Sequence, residues 1–243
     1  FATLNQKLAQ VVNQTINRGG KIIVPAFSVG RTQEIVYALH QLTLASEIPE
    51  LPIFVDSPLS LNATEVFRAH PECYDEETAD FLESTNDVFG WNRLRYIRTA
   101  EESKKINEIK SPCVIISASG MCEAGRILHH LRNNIEDERN TILVVGFMAE
   151  NTLGRRLVER EPTVKIFGEE FTLAAEVVKL NAFSAHADQD ELVTWISHFN
   201  REHLEHLFIL HGEYDQSQAL AHALGGQGLN EVTIPERGEW LEV

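Results

Sequence analysis

Short apolar runs alternating with amphipathic stretches constrain this chain more than any other feature. Leu4, Leu8, Val11, Val12, Thr15 and Ile16 recur at the three-to-four spacing of one helical face, and Gly19-Gly20 then ends the helix. Lys21-Ile-Ile-Val-Pro-Ala-Phe27 follows as a buried strand. The rhythm repeats. A helix over Gln33 to Leu44 precedes a strand at Ile53 to Asp56, and a helix from Asn62 to Ala69 stops before Pro71. Strands at Arg95 to Ile97, Cys113 to Ala118 and Thr141 to Phe147 are separated by helices at Glu101 to Ile109 and Ala124 to Arg132. Acidic Glu72 to Asp87 is expected to be a solvated helix. Such alternation predicts an α/β fold with a parallel sheet flanked by helices.

The pattern changes after about residue 161. Val164 to Phe171, Glu176 to Leu180, Leu207 to Leu210 and Glu231 to Ile234 read as short strands, with helices at Gln189 to Phe199 and near Gln216 to Ala223. No linker of Pro, Gly or Ser separates the two parts.

Composition narrows the function classes. With 243 residues the chain can bury one large core or two modest ones. No apolar run reaches the roughly 18 residues that would span a bilayer, so no membrane association is expected. Phe1 is not Met and no signal-peptide order follows it, so the chain is expected to be part of a longer protein. The formal charge of −15 argues against a surface that is basic throughout, leaving a local basic cleft as the place for any polyanion. Cys73, Cys113 and Cys122 form no Cys-x-x-Cys pair, which fits a reducing, cytoplasmic setting.

Ligands of open parallel sheets collect beyond the carboxyl ends of the strands, here Ala26 to Arg31, Asp56 to Ser60 and Ser117 to Met121. Ser117, Ser119 and Gly120 lie in a turn where hydroxyls and backbone N–H groups could hold phosphate, or form only a tight turn. Ser28, Gly30 and Arg31 lie in another, where Arg31 could clamp phosphate or pair with an acidic neighbour. Phe183-Ser-Ala-His-Ala-Asp188 puts Ser184 and His186 at a strand exit, with Asp188 as the cap of the next helix. In Phe208-Ile-Leu-His-Gly-Glu213 a strand ends at His211, and Gly212 is expected to turn the chain. His40, His70, His129, His130, His198 and His222 have ordinary structural explanations, and His203-x-x-His206 lacks the further ligands that zinc requires. No Gly-x-Ser-x-Gly elbow supports a serine hydrolase.

Gly19 to Glu34, Val55 to Leu59, Ser117 to Met121, Phe183 to Asp188 and Leu210 to Glu213, in this order, resemble the β-CASP branch of the metallo-β-lactamase superfamily of nucleic-acid-processing nucleases. The likeness covers nearly the whole chain. It is greatest to bacterial and archaeal relatives of the nuclease subunit of the cleavage and polyadenylation specificity factor. The resemblance implies a β-CASP domain over residues 1–160. Residues 161–243 are then the C-terminal strands and helices of an αββα metallo-β-lactamase domain, its N-terminal part absent from this sequence.

By the same resemblance His186 lies beside the scissile phosphate and helps protonate the leaving oxygen, and His211 ligates one of two zinc ions. The histidine at 211, where DNA-directed members carry valine, favours RNA as substrate, and the RNA is expected to be single-stranded. Ser184, Ser117, Ser119 and Gly120 would contact phosphate, with Arg31 and Arg126 supplying charge. The family's His-x-His-x-Asp-His motif does not occur here, so the zinc centre is incomplete and the isolated chain is expected to be inactive. The face left by the missing half should be apolar, which predicts a homodimer or other self-association. The alternatives are a noncatalytic RNA-binding scaffold of the same family, and a small-molecule or nucleotide hydrolase on a doubly wound fold.

Overall fold

α1 (Ala2–Asn17) ends where its glycines dictate. Gly19, at φ +75°, donates its N–H to the Ile16 carbonyl and Gly20 donates to that of Thr15, the pairing of a Schellman motif. The chain then enters β1 (Ile22–Pro25) directly. At Gly20 the backbone passes so close to the Arg139 carbonyl that an added Cβ would lie 1.7 Å from its oxygen. This near contact sets the start of β1 against the start of the strand at residue 141.

The computed structural model describes residues 2–180, 187–229 and 231–240, in two compact units, residues 1–184 and 185–243. In the first unit β1 alternates with α2 (Arg31–Leu44), β2 (Ile53–Asp56), α3 (Pro58–Ala69), α4 (Glu76–Thr85), β3 (Leu94–Tyr96), α5 (Ala100–Glu108), β4 (Val114–Ser117), α6 (Arg126–Asn134), β5 (Thr141–Val144) and α7 (Leu153–Val158). A hairpin of β6 (Thr163–Ile166) and β7 (Glu169–Thr172) follows, and then β8 (Glu176–Lys179). Six strands pair in parallel in the order β3-β2-β4-β1-β5-β8.

Both faces of this sheet are covered, which is why its strands read as unbroken apolar runs. Ile22 and Val24 point to one face, with Leu8 and Val12 of α1 and Ile35 and Leu39 of α2. Ile23, Ile142, Val144 and Val177 point to the other, against Ile127 and Leu131 of α6 and Leu157 of α7. Phe54 and Ile115 extend that second face toward Ile106 of α5.

Several elements differ from the sequence reading. Val164 to Phe171 is two antiparallel strands, because Phe167 and Gly168 both adopt positive φ and reverse the chain. α3 begins at Pro58, with the Ser57 hydroxyl accepting from the Ser60 N–H, earlier than Asn62. α7 went unforeseen, and the acidic stretch forms a short 3₁₀ turn before α4, whose Phe81 and Leu82 pack on the core. Residues 161–180 pack with the first unit: Val164 and Ile166 are buried with α6 and α7, and β8 extends the sheet.

The second unit contains α8 (Gln189–Ser197), β9 (Leu207–Phe208), α9 (Tyr214–Gly226) and β10 (Val232–Thr233), with β9 and β10 paired in parallel. Asp188 caps α8 through a reciprocal pairing with Glu191.

Gly20→Ala should cost about 1–3 kcal/mol in urea unfolding, since only backbone movement relieves the contact with Arg139. Unchanged stability would show that the approach is not constraining.

Candidate functional site

Because its strands are parallel, all the exits of the sheet lie along one edge, and the strand order places the turn after β4 between those after β2 and β1. Asp56, Ser117 and Pro25 stand level on these three neighbours. A fully buried carboxylate ends β2. Arg126 Nη1 donates to Asp56 Oδ1 at 2.6 Å, while Ser103 Oγ and His130 Nε2 donate to Oδ2 at 2.5 and 2.7 Å. A carboxylate only accepts, so His130 donates from Nε2; its Nδ1 lies 2.9 Å from Asn107 Oδ1. Burial by itself pushes the Asp56 carboxyl up, but the hydrogen bonds from His130, Ser103 and Arg126 together outweigh it and hold the group below the ordinary carboxylate range.

Arg126 also donates from Nη2 to the Arg98 carbonyl at 2.9 Å, tying the exit of β3 into the same network. Ser117 is buried, and its hydroxyl donates to the Asp56 carbonyl at 2.9 Å. Ser117 and Arg126, both singled out in the sequence for phosphate, therefore spend these groups on holding the edge together. Ser119 is half-buried, and its Oγ accepts from the N–H groups of Glu123 and Ala124, closing the turn before α6. Gly120 lies beneath the Phe27 ring, where a Cβ would meet ring carbons at 2.9 Å. Arg31 opens α2 and pairs with Glu34 one turn on.

Ser28 and Ser57, from the exits of β1 and β2, lie 3.0 Å apart through their hydroxyls. Buried Gln33 donates to the carbonyls of Ser28 and Ser60 and to Thr64 Oγ1, locking α2 to α3. The rim around these polar turns is apolar: Phe27, Val29, Leu59 and Phe147 are all more than half exposed.

In the second unit His211 lines a cleft of about 600 Å³, with Asp188, Gln189, Asp215, Gln216 and Ser217 among its neighbours. His211 itself takes φ +66° and makes the turn that the sequence reading gave to Gly212; a Cβ on Gly212 would come within 2.8 Å of Ser217 Oγ. Ser184 and His186 lie outside the described residues. Among the described residues no group of three His, Cys, Asp or Glu side chains could hold a metal ion, so His211 there lacks the companions a zinc site needs. Other histidines have structural partners, with His40 stacked on Trp91 at 4.3 Å and bonded to the Val88 carbonyl.

The sequence placed Asp56 at a strand exit without a role, gave His130 an ordinary structural explanation and did not single out Ser103. The one available signal was an acidic residue closing an otherwise apolar strand, since a buried carboxylate demands donors.

Residues 32–157 match the family model described as the Beta-Casp domain, and residues 171–235 match that of the Zn-dependent metallo-hydrolase RNA specificity domain. A ribonuclease of Thermus thermophilus is 35% identical over 239 residues, covering 98% of this chain and 53% of the relative. An RNase J-like protein of Methanocaldococcus jannaschii is 32% identical over 241 residues, 99% of this chain and 54% of its own length. The transcription termination factor FttA of Methanosarcina mazei is 30% identical over 212 residues, 85% of this chain and 33% of its own. The chain thus spans about half the length of the first two relatives.

Asp56→Asn should lower the unfolding free energy at neutral pH by about 3–5 kcal/mol, as expected when one partner of a buried charge pair is removed. Because the folded carboxyl titrates below its ordinary value of 3.8, the native advantage is complete above that value and disappears as pH falls through the depressed one. The gap between wild type and variant should therefore close on acidification in urea titrations. Equal stability at pH 7 would contradict the assignment.

Proposed function

The chain belongs to the Beta-Casp family, and from that premise we propose that it is part of a zinc-dependent ribonuclease that hydrolyses phosphodiester bonds of single-stranded RNA in RNA processing or decay. The match of residues 171–235 to a Zn-dependent metallo-hydrolase RNA specificity domain carries the reading, because that segment contains both His186 and His211. The Thermus and Methanocaldococcus relatives, whose names say ribonuclease and RNase J-like, support it. In this proposal residues 1–160 are the β-CASP domain and 161–243 the C-terminal part of the metallo-β-lactamase domain.

His186 is the proton-transfer residue at the scissile bond, and His211 gives one ligand to a centre of two zinc ions. Bound zinc would make a water nucleophilic at neutral pH and stabilise charge on phosphate. In this proposal the isolated chain, whose described residues assemble no group of three His, Cys, Asp or Glu side chains that could hold a metal, is inactive. Ser184, Ser119, Gly120 and Arg31 contact the backbone of the substrate; Ser117 and Arg126 act mainly by holding the strand exits in place.

No helix among the described residues is long and apolar enough to cross a membrane. Three unpaired thiols, two of them buried, support a cytoplasmic setting. The exposed Trp195, Leu210 and Tyr214 of the second unit and, separately, the apolar rim of the first support self-association. Sedimentation at rising concentration should show dimers or larger species; a strict monomer would count against this part of the reading.

Metal analysis and cleavage of labelled single-stranded RNA should be compared for this chain, for the chain extended to the length of its relatives, and for the extended His211→Ala protein. The expected outcome is two zinc ions and cleavage in the extended protein alone, with at least a hundredfold loss in the variant. Neither metal nor cleavage in the extended protein would favour a noncatalytic scaffold.

A further inference from the structure

Between α5 and α6 runs a groove of about 450 Å³ whose ionisable lining is Lys104, Lys110, Arg126 and His129 against one acid, Glu108. In a chain of charge −15 this local excess of cations stands out. Most arginines elsewhere in this unit are paired, for example Arg18 with Glu176, Arg68 with Asp87 and Arg132 with Glu169. Lys104 and Lys110 are exposed and make no ion pair among the described residues. Nearby, Lys21 Nζ donates to the carbonyl of Asn107, a residue that also lines the groove. Burial lowers the Lys21 pKa; of the charges around it, Cys113 and Asp137 oppose the shift while Lys110 and Arg139 add to it.

The groove is also joined to the strand exits. Arg126 lines it and grips Asp56 from the other side, while Ser103 and Asn107 belong at once to its wall and to the buried network beneath. We propose that this groove is a second contact for the phosphodiester backbone of single-stranded RNA, held by Lys104 and Lys110 beside Arg126. The inference rests on the reading of the protein as RNA-directed. It adds a sequence-independent electrostatic grip outside the strand exits and outside the His211 cleft. It also gives this acidic protein a confined basic surface for a polyanion.

The test is binding of a labelled single-stranded RNA to this chain by fluorescence anisotropy across a salt series, with single-stranded DNA of equal length and inorganic phosphate as further arms. Lys104→Ala/Lys110→Ala should weaken RNA binding on the order of tenfold at low salt and make the log–log salt slope shallower by about 1.4, two lost phosphate contacts on a single strand. Both positions are exposed and α5 tolerates alanine, so folding is kept. Lys104→Arg/Lys110→Arg should bind as wild type, and DNA should lose affinity by the same factor as RNA. Unchanged affinity and slope in the alanine variant would overturn the inference. So would full displacement of RNA by inorganic phosphate at equal phosphate concentration, which would mark a free-anion site. If the extended protein cleaves RNA while the alanine variant binds normally, the groove alone fails. If the extended protein does not cleave RNA while DNA binding still depends on both lysines, the ribonuclease reading fails and the groove's backbone contact stands.

Discussion

A carboxylate taken out of water at the end of a buried strand is tolerated only when its lone pairs are fully occupied, and Asp56 meets that condition with donors from α5 and α6. Its carbonyl takes a further hydrogen bond from Ser117 of the neighbouring strand, and Arg126 continues to the backbone at the exit of β3. One charged group thereby fixes the relative positions of three strand exits and two helices. Without it the exit of β3 and helices α5 and α6 would lose their side-chain tie to the end of β2, while Gln33 and the Ser28–Ser57 contact would still join the exits of β1 and β2. The phosphate-facing edge proposed for this protein is built on that tie.

The same arrangement decides which groups of this acidic chain would meet the proposed polyanion. Most arginines of the first unit are neutralised by carboxylates, and Arg126 is partly spent on Asp56. What remains for a nucleic acid is small and local: backbone N–H groups and hydroxyls at the exits, and the lysines of the α5–α6 groove. The apolar side chains around the exits, Phe27 and Val29 after β1 and Leu59 after β2, suit contact with bases or with further protein better than contact with phosphate.

Much of this fold was legible in the sequence because buried parallel strands leave a plain trace. Ile22 to Val24, Ile53 to Val55 and Val114 to Ile116 have no polar face to hide, and Gly19-Gly20 marks a helix end by conformation as well as by composition. The β6–β7 hairpin was not legible because Phe167 takes a left-handed conformation that its side chain gives no hint of. His211 repeats that lesson, turning the chain where the neighbouring glycine was the natural candidate. The Asp56 network was hidden for a different reason: its donors lie 47 to 74 residues away in sequence, and only the strand order brings them together. A motif can flag the residues of a site, but it does not say which of their hydrogen bonds are already used, as with Ser117 and Arg126.

In the proposed function the strand exits tied by Asp56 form the edge that meets the RNA backbone. Backbone amide shifts of the isotopically labelled chain, followed while a short single-stranded RNA is added, test this most directly. The account predicts the largest changes at residues 28–31 and 118–121, with those at the amino ends of the same strands unmoved. Changes confined to the opposite edge of the sheet, or none at RNA concentrations that saturate binding, would contradict it.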